Sequence, residues 1–169
     1  MLHDWSTLFE ITGAAGAQLI GLLFVAVTLG VGLSPLQSSD AIAAFLTPTL
    51  INFSGVLFQA ILVLAPWPTD RPVGLIVVLA GIAALAYRLN AIHLKGKVDF
   101  VALNALDWVV YNGVPVLANA CLIAGGAELI AEESFAPYAI ACASVLLLGA
   151  GIYGAWDLTL WIIKNSAKK

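Results

Sequence analysis

Between residues 8 and 163 the chain is divided into five apolar stretches of about twenty residues or more, with few charges inside them. A hydrocarbon layer roughly 30 Å thick is crossed by about 20 residues of α-helix, and within it every peptide N–H and C=O must be bonded internally. Such runs therefore predict spanning helices. The expected spans are 8–31, 41–64, 73–92, 103–129 and 137–163. Helix-breaking residues separate them: Ser34-Pro35 and Ser38-Ser39-Asp40 after the first, Pro66-Trp67-Pro68 and Pro72 before the third, Glu132-Glu133-Ser134 before the fifth.

Composition closes off the alternatives. Of the 169 residues, 62% are hydrophobic and 10% charged, whereas soluble domains hold about 45–50% and about 25%. Seven Lys and Arg with a net charge of −3 leave no basic face for nucleic acid. The expected fold is all-α, a single transmembrane domain over 1–169: a compact bundle of five helices with the lipid bilayer as its solvent.

Orientation follows from the cations, because short loops rich in Lys and Arg stay on the cytoplasmic side. Arg88, Lys95, Lys97, Lys164, Lys168 and Lys169 fall on one face of a five-span chain, and Arg71 alone on the other. This predicts an outside N-terminus and a cytoplasmic C-terminus. Trp5, Trp67 and Tyr138 fall at the expected outer boundary, and Tyr87, Trp108, Trp156 and Trp161 near the inner one, where amphipathic rings settle. The N-terminus lacks the cationic start of a signal peptide and is read as an uncleaved first span. Cys121 and Cys142, both within spans, are read as small buried hydrophobes.

Small residues four apart, Gly13-xxx-Ala17-xxx-Gly21, predict the packing strip of the first helix, since they let another backbone approach closely. Glu10, Ala14, Ala17, Gly21 and Thr28 share this side, with Gln18 at its edge, so the side is expected to face protein. The second helix gathers Pro48, Thr49, Asn52, Gly55 and Gln59, and an Asn52–Gln18 hydrogen bond near mid-membrane is expected. The fourth winds Asn104, Asp107, Trp108, Tyr111, Asn112, Pro115 and Asn119 along a broad side and should kink near Gly113 and Pro115.

Ionisable groups inside a span mark either a lock or a site. Arg88, Asp107 and Asp157 come out at one depth on three helices and are expected to meet, with Tyr153, Tyr111 and Asn104 as hydrogen-bond partners. One reading is a salt-bridge lock, because a planar guanidinium can serve two carboxylates. A second is a proton or cation relay built on the surplus carboxylate, and a third is that the groups snorkel to the headgroups without contact. Glu10 reaches the outer interface, caps the first turn of its helix, or opens a polar path through Gln18, Asn52, Asn112 and Asn119 to the cluster.

Recognisable chemistry is missing from the sequence. His3 and His93 lie on opposite faces with no second ligand at helical spacing, so no metal or haem is expected. Phosphate-binding, dinucleotide, zincin and serine-hydrolase motifs are absent, and Ser54 and Ser144 have no intramembrane His to activate them. The stretch Gly13-Ala-Ala-Gly-Ala-Gln-Leu-Ile-Gly-Leu-Leu-Phe-Val-Ala-Val-Thr28, with Phe45-Leu-Thr-Pro-Thr-Leu50, resembles a group of small uncharacterised bacterial multi-spanning membrane proteins. The resemblance covers mainly the first two helices. It implies a bacterial inner membrane and carries no activity or site residue.

The function expected is therefore that of a non-enzymatic, cofactor-free structural, accessory or modulatory subunit, in a homo-oligomer or a larger membrane complex. The alternative is a small ion, proton or solute channel or transporter subunit using the polar side of the fourth helix and the Arg/Asp cluster.

Overall fold

The computed structural model describes residues 2–33, 46–95 and 105–166. Every regular element among them is helical. A 3-10 turn, Leu2–Trp5, leads into α1, Ser6–Leu33; α2 is Thr47–Leu64 and α3 is Asp70–Lys95. The fourth helix, α4, has three parts: an α-helical turn Ala105–Trp108, a π-helical stretch Val109–Gly113 and an α-helical body Val114–Ala131. The last helix, α5, is Ala136–Ser166. All five are long and apolar enough to cross a membrane, with mean hydropathy between 1.6 and 2.0 over their most apolar stretches. The expected starts of the second and fourth spans, together with Asn104, Lys97, Lys168 and Lys169, lie outside the described residues.

Local chemistry explains the helix ends. Ala65 precedes Pro66, whose ring disfavours a helical neighbour, and it takes an extended conformation (φ −63°, ψ 143°) that stops α2. The Trp67 indole then donates to the freed Leu62 carbonyl at 2.7 Å. At the end of α4, Glu132 turns left-handed (φ 62°). There the Glu133 N–H reaches back to the Glu128 carbonyl at 2.9 Å and the Glu132 N–H to that of Leu129 at 3.3 Å, a Schellman closure made without glycine.

The helices alternate in direction. Trp5 meets Tyr138 edge-on with ring centroids 4.5 Å apart, and Arg71 pairs with Glu132 at 3.0 Å. These contacts bring the starts of α1, α3 and α5 and the end of α4 to one end of the bundle. Around the bundle α1 packs on α2, α2 on α5, α5 on α4 and α4 on α3, while the sequence neighbours α2 and α3 touch only sparsely. Phe9, Phe53, Val56, Val73, Val77, Leu129 and Ile140 form the buried core. Outside it, Ile11, Leu22, Phe58, Val145 and Trp156 stand exposed, an exterior suited to hydrocarbon and not to water.

Glycines set the closest crossings. A Cβ on Gly126 would lie 2.8 Å from the Gly74 carbonyl oxygen and 2.9 Å from the Val78 nitrogen, so α3 and α4 meet backbone to backbone there. The strip expected on α1 is displaced. Gly13 does pack, its Cβ position only 2.5 Å from that of Ala60, and Gly16 approaches the Phe53 carbonyl at 3.1 Å. Ala17 and Gly21, however, are exposed, and nothing lies within 4 Å of a Cβ at Gly21. The physical reason is angular drift: residues four apart advance about 40° around the helix beyond a full turn, so the strip leaves the contact with α2 after one step. Phe9, Thr12, Gly13, Gly16 and Leu23 are the positions that stay buried.

Candidate functional site: a crossed tyrosine–aspartate square

Pro115 organises the centre of α4. Without an N–H it cannot bond the carbonyl of Tyr111, and its ring would crowd that turn of a regular helix. The chain widens instead into the π-helical stretch before it, where the Val114 N–H bonds the Val109 carbonyl, five residues back. Asn119 donates to the Pro115 carbonyl at 2.7 Å and Asn112 to that of Trp108 at 3.3 Å. Both asparagines therefore serve their own helix.

The widened turn carries Tyr111 against α5. Asp107 and Tyr111 stand one turn apart on α4, as Tyr153 and Asp157 do on α5, and antiparallel packing sets the two pairs side by side. The phenols then cross. Tyr153 donates to Asp107 Oδ1 at 2.5 Å, and Tyr111 donates to Asp157 Oδ2 at 2.8 Å. Their rings meet edge-on, with centroids 5.9 Å apart and planes at 75°. All four side chains are half-buried. Beneath them, Gly154 is closed in by the Thr49 hydroxyl and stands within 3.6 Å, at its Cβ position, of the Tyr111 ring.

Two carboxyl groups on neighbouring helices, each accepting a hydrogen bond from a phenol, make an arrangement able to take a proton or a cation. Among the described residues no group of three His, Cys, Asp or Glu side chains is placed to hold a metal ion.

Arg88 does not join the square. Its Nη2 donates to Asn52 Oδ1 on α2, and among the described residues the one ion pair is Arg71 with Glu132 at the opposite end. The expected equal depth is not met: α3 packs on α4 with Gly81 against Asn119 and Ile123, a register that sets Arg88 level with Pro115, about two turns from Asp107, and faces it toward the seam with α2. The expected Asn52–Gln18 bond is replaced for the same reason: Asn52 is buried and committed to Arg88, while Gln18 is exposed on α1. Glu10 is exposed as well. The residues proposed as a path, Glu10, Gln18, Asn52, Asn112 and Asn119, are thus distributed over separate local bonds and surfaces. A buried pair missed by the sequence reading joins Ser144 to Gln59 Oε1 at 2.7 Å. The Gln59 membership of a polar stripe was its only signal, and nothing in the spacing pointed to Ser144.

Compared with protein-family models, curated proteins and solved structures, the chain matches none.

Proposed function

We propose that this chain is a non-catalytic subunit of a bacterial inner-membrane complex, with its N-terminus outside and its C-terminus cytoplasmic, as the six-to-one division of Lys and Arg favours. One observation carries the reading. The polar groups inside the bundle mostly bond one another, whereas α1 leaves Glu10, Ala14, Ala17, Gln18 and Gly21 uncovered on a single side. A carboxylate and an amide exposed to hydrocarbon are costly unless a partner satisfies them, and small residues beside them admit a close helix. The occupant that fits is a transmembrane helix of another membrane protein presenting a hydrogen-bond donor opposite Glu10 and Gln18.

Photo-crosslinking in native membranes tests this. A photoreactive residue at Ala17 should capture one partner reproducibly, a probe at the lipid-facing Leu79 of α3 should not, and Gly21→Leu should abolish the Ala17 adduct. Equal labelling from both probes, or an adduct indifferent to Gly21→Leu, refutes the reading.

The Tyr–Asp square favours a second reading, a proton or cation pathway, because among the described residues its two carboxylates lie in no salt bridge. Purified protein in proteoliposomes would then show a flux abolished by Asp107→Asn. The accessory reading expects no such flux.

A further inference from the structure

The seam between α2 and α3 is sparsely filled. Gly55, Ala80 and Ala84 give it no bulk, and it holds a crevice of about 210 Å³ lined further by Ile51, Phe58, Leu62 and Val77, with Leu122 and Leu147 at its back. A cavity of roughly 150 Å³ accommodates benzene. Phe58 and Ala80 are exposed at its edge, so the crevice opens on the perimeter of the bundle, where lipid would lie.

Three polar side chains enter this apolar lining: Arg88, Gln59 and Asn119. Asn119 is engaged with the Pro115 carbonyl. The other two are incompletely bonded. Arg88 meets the neutral amide oxygen of Asn52, its Nε has no acceptor, and among the described residues no carboxylate lies within ion-pair distance. Gln59, only 5% exposed, has an orphan Nε2. The Ser144 hydroxyl sits between Gln59 Oε1 and the Ile140 carbonyl, at 2.7 and 3.1 Å. Its single proton serves one of them. With Oε1 accepting from Ser144, the buried Gln59 Nε2 is the atom left unmatched.

A half-buried guanidinium with its Nε enclosed and unbonded, and no counter-charge at ion-pair distance among the described residues, favours an anion, since its remaining N–H groups form a fork suited to a carboxylate. We propose that the α2–α3 crevice is a binding site for a carboxylate-bearing apolar molecule, the carboxylate on Arg88 and the hydrocarbon body along Ile51, Leu62, Val77 and Leu147. The volume suits an aromatic acid taken up whole. The lateral opening suits equally the head and first carbons of a fatty acid entering from the membrane. Both sources present one chemistry: an anion at the guanidinium and carbon in the seam. The site is independent of the uncovered side of α1.

The test uses the full chain in nanodiscs of zwitterionic phosphatidylcholine, with equilibrium binding of radiolabelled benzoate and of palmitate, and benzyl alcohol as the neutral analogue of benzoate. Saturable binding of either acid, with benzyl alcohol at least about tenfold weaker, is expected from loss of a charged hydrogen-bonding partner. Benzoate binding identifies a soluble acid as the source, and palmitate binding alone identifies the membrane. Arg88→Gln, which retains a donor for Asn52, should weaken binding about tenfold or more. Ala84→Leu, which fills the crevice and leaves Arg88 in place, should abolish it, and both variants are first checked for a wild-type thermal transition. Should Arg88→Gln fail to fold, the Ala84→Leu and benzyl alcohol arms decide alone. Absence of saturable binding by both acids, equal binding of benzyl alcohol, or acid binding unaffected by Ala84→Leu overturns the proposal.

Discussion

Replacing Gly126 by alanine should loosen the α3–α4 crossing by an amount the geometry sets. The added methyl would stand 2.8 Å from the Gly74 carbonyl oxygen and 2.8 Å from Val78 Cγ2. Ordinary carbon contacts begin at about 3.5 Å, so the two helices must part by roughly 0.7 Å, and the obstacle on one side is backbone that cannot rotate away. Overpacking of this kind costs about 1–3 kcal/mol. The substitution also brings the helix-forming advantage of alanine over glycine, about 0.5–1 kcal/mol, which would mask part of the effect. Gly149→Ala supplies the correction, because nothing lies within 4 Å of its Cβ position and it receives the advantage alone. The difference between the two variants should therefore be about 1–3 kcal/mol, a roughly 5- to 150-fold change in the unfolding equilibrium. Reversible unfolding in mixed micelles of increasing SDS fraction, followed by tryptophan fluorescence, measures it. Gly74→Ala added to Gly126→Ala should cost less than it does alone, since the gap is already open. Equal stability of Gly126→Ala and Gly149→Ala, or strict additivity of the two crossing variants, would show that the backbones do not meet there.

Three further outcomes are expected. Alanine substitutions at Arg88 and Asn52 should be non-additive in the same unfolding assay, while Arg88 and Asp107 should add within about 0.5 kcal/mol, as groups without contact do; the reverse pattern would restore the Arg–Asp lock. Tyr153→Phe should shift the infrared carboxylate stretch of Asp107, and Tyr111→Phe that of Asp157, with each band assigned by loss in the matching Asp→Asn variant; a shift of the wrong carboxylate would refute the crossed pairing. Arg71→Gln should change stability by less than about 1 kcal/mol, an effect fading with salt, because the Arg71–Glu132 pair is exposed on both sides, 66% and 64%.

The five helices were legible in the sequence because the thickness of hydrocarbon fixes their length and the prolines and the acidic Glu132-Glu133 fix their ends. The groups that meet between them were legible in depth but not in azimuth. Counting from the span ends put Arg88 level with Asp107 and Asp157, whereas packing sets it about two turns away; contact also requires each helix to be turned about its axis, and a helix apolar on most sides gives hydropathy little to choose a side by. That is why Arg88 went to Asn52, and why the small-residue strip of α1 points outward. The proline of α4 announced a bend; that the bend would take the form of a wider turn presenting Tyr111 to Asp157 depends on packing against α5. Gln59 and Ser144, 85 residues apart, are joined by tertiary structure alone.

The sparse seam between α2 and α3 also bears on how the chain is assembled. During synthesis α3 emerges directly after α2 but finds little to hold on it, and its principal neighbour α4 has not yet been made. Until α4 arrives, α3 is attached mainly by the short turn around Pro66 and Pro68 and, among the described residues, by the Arg88–Asn52 bond. That bond is available early to fix the rotation of α3, so loss of Asn52 should harm the yield of correctly assembled protein more than the stability of molecules already folded.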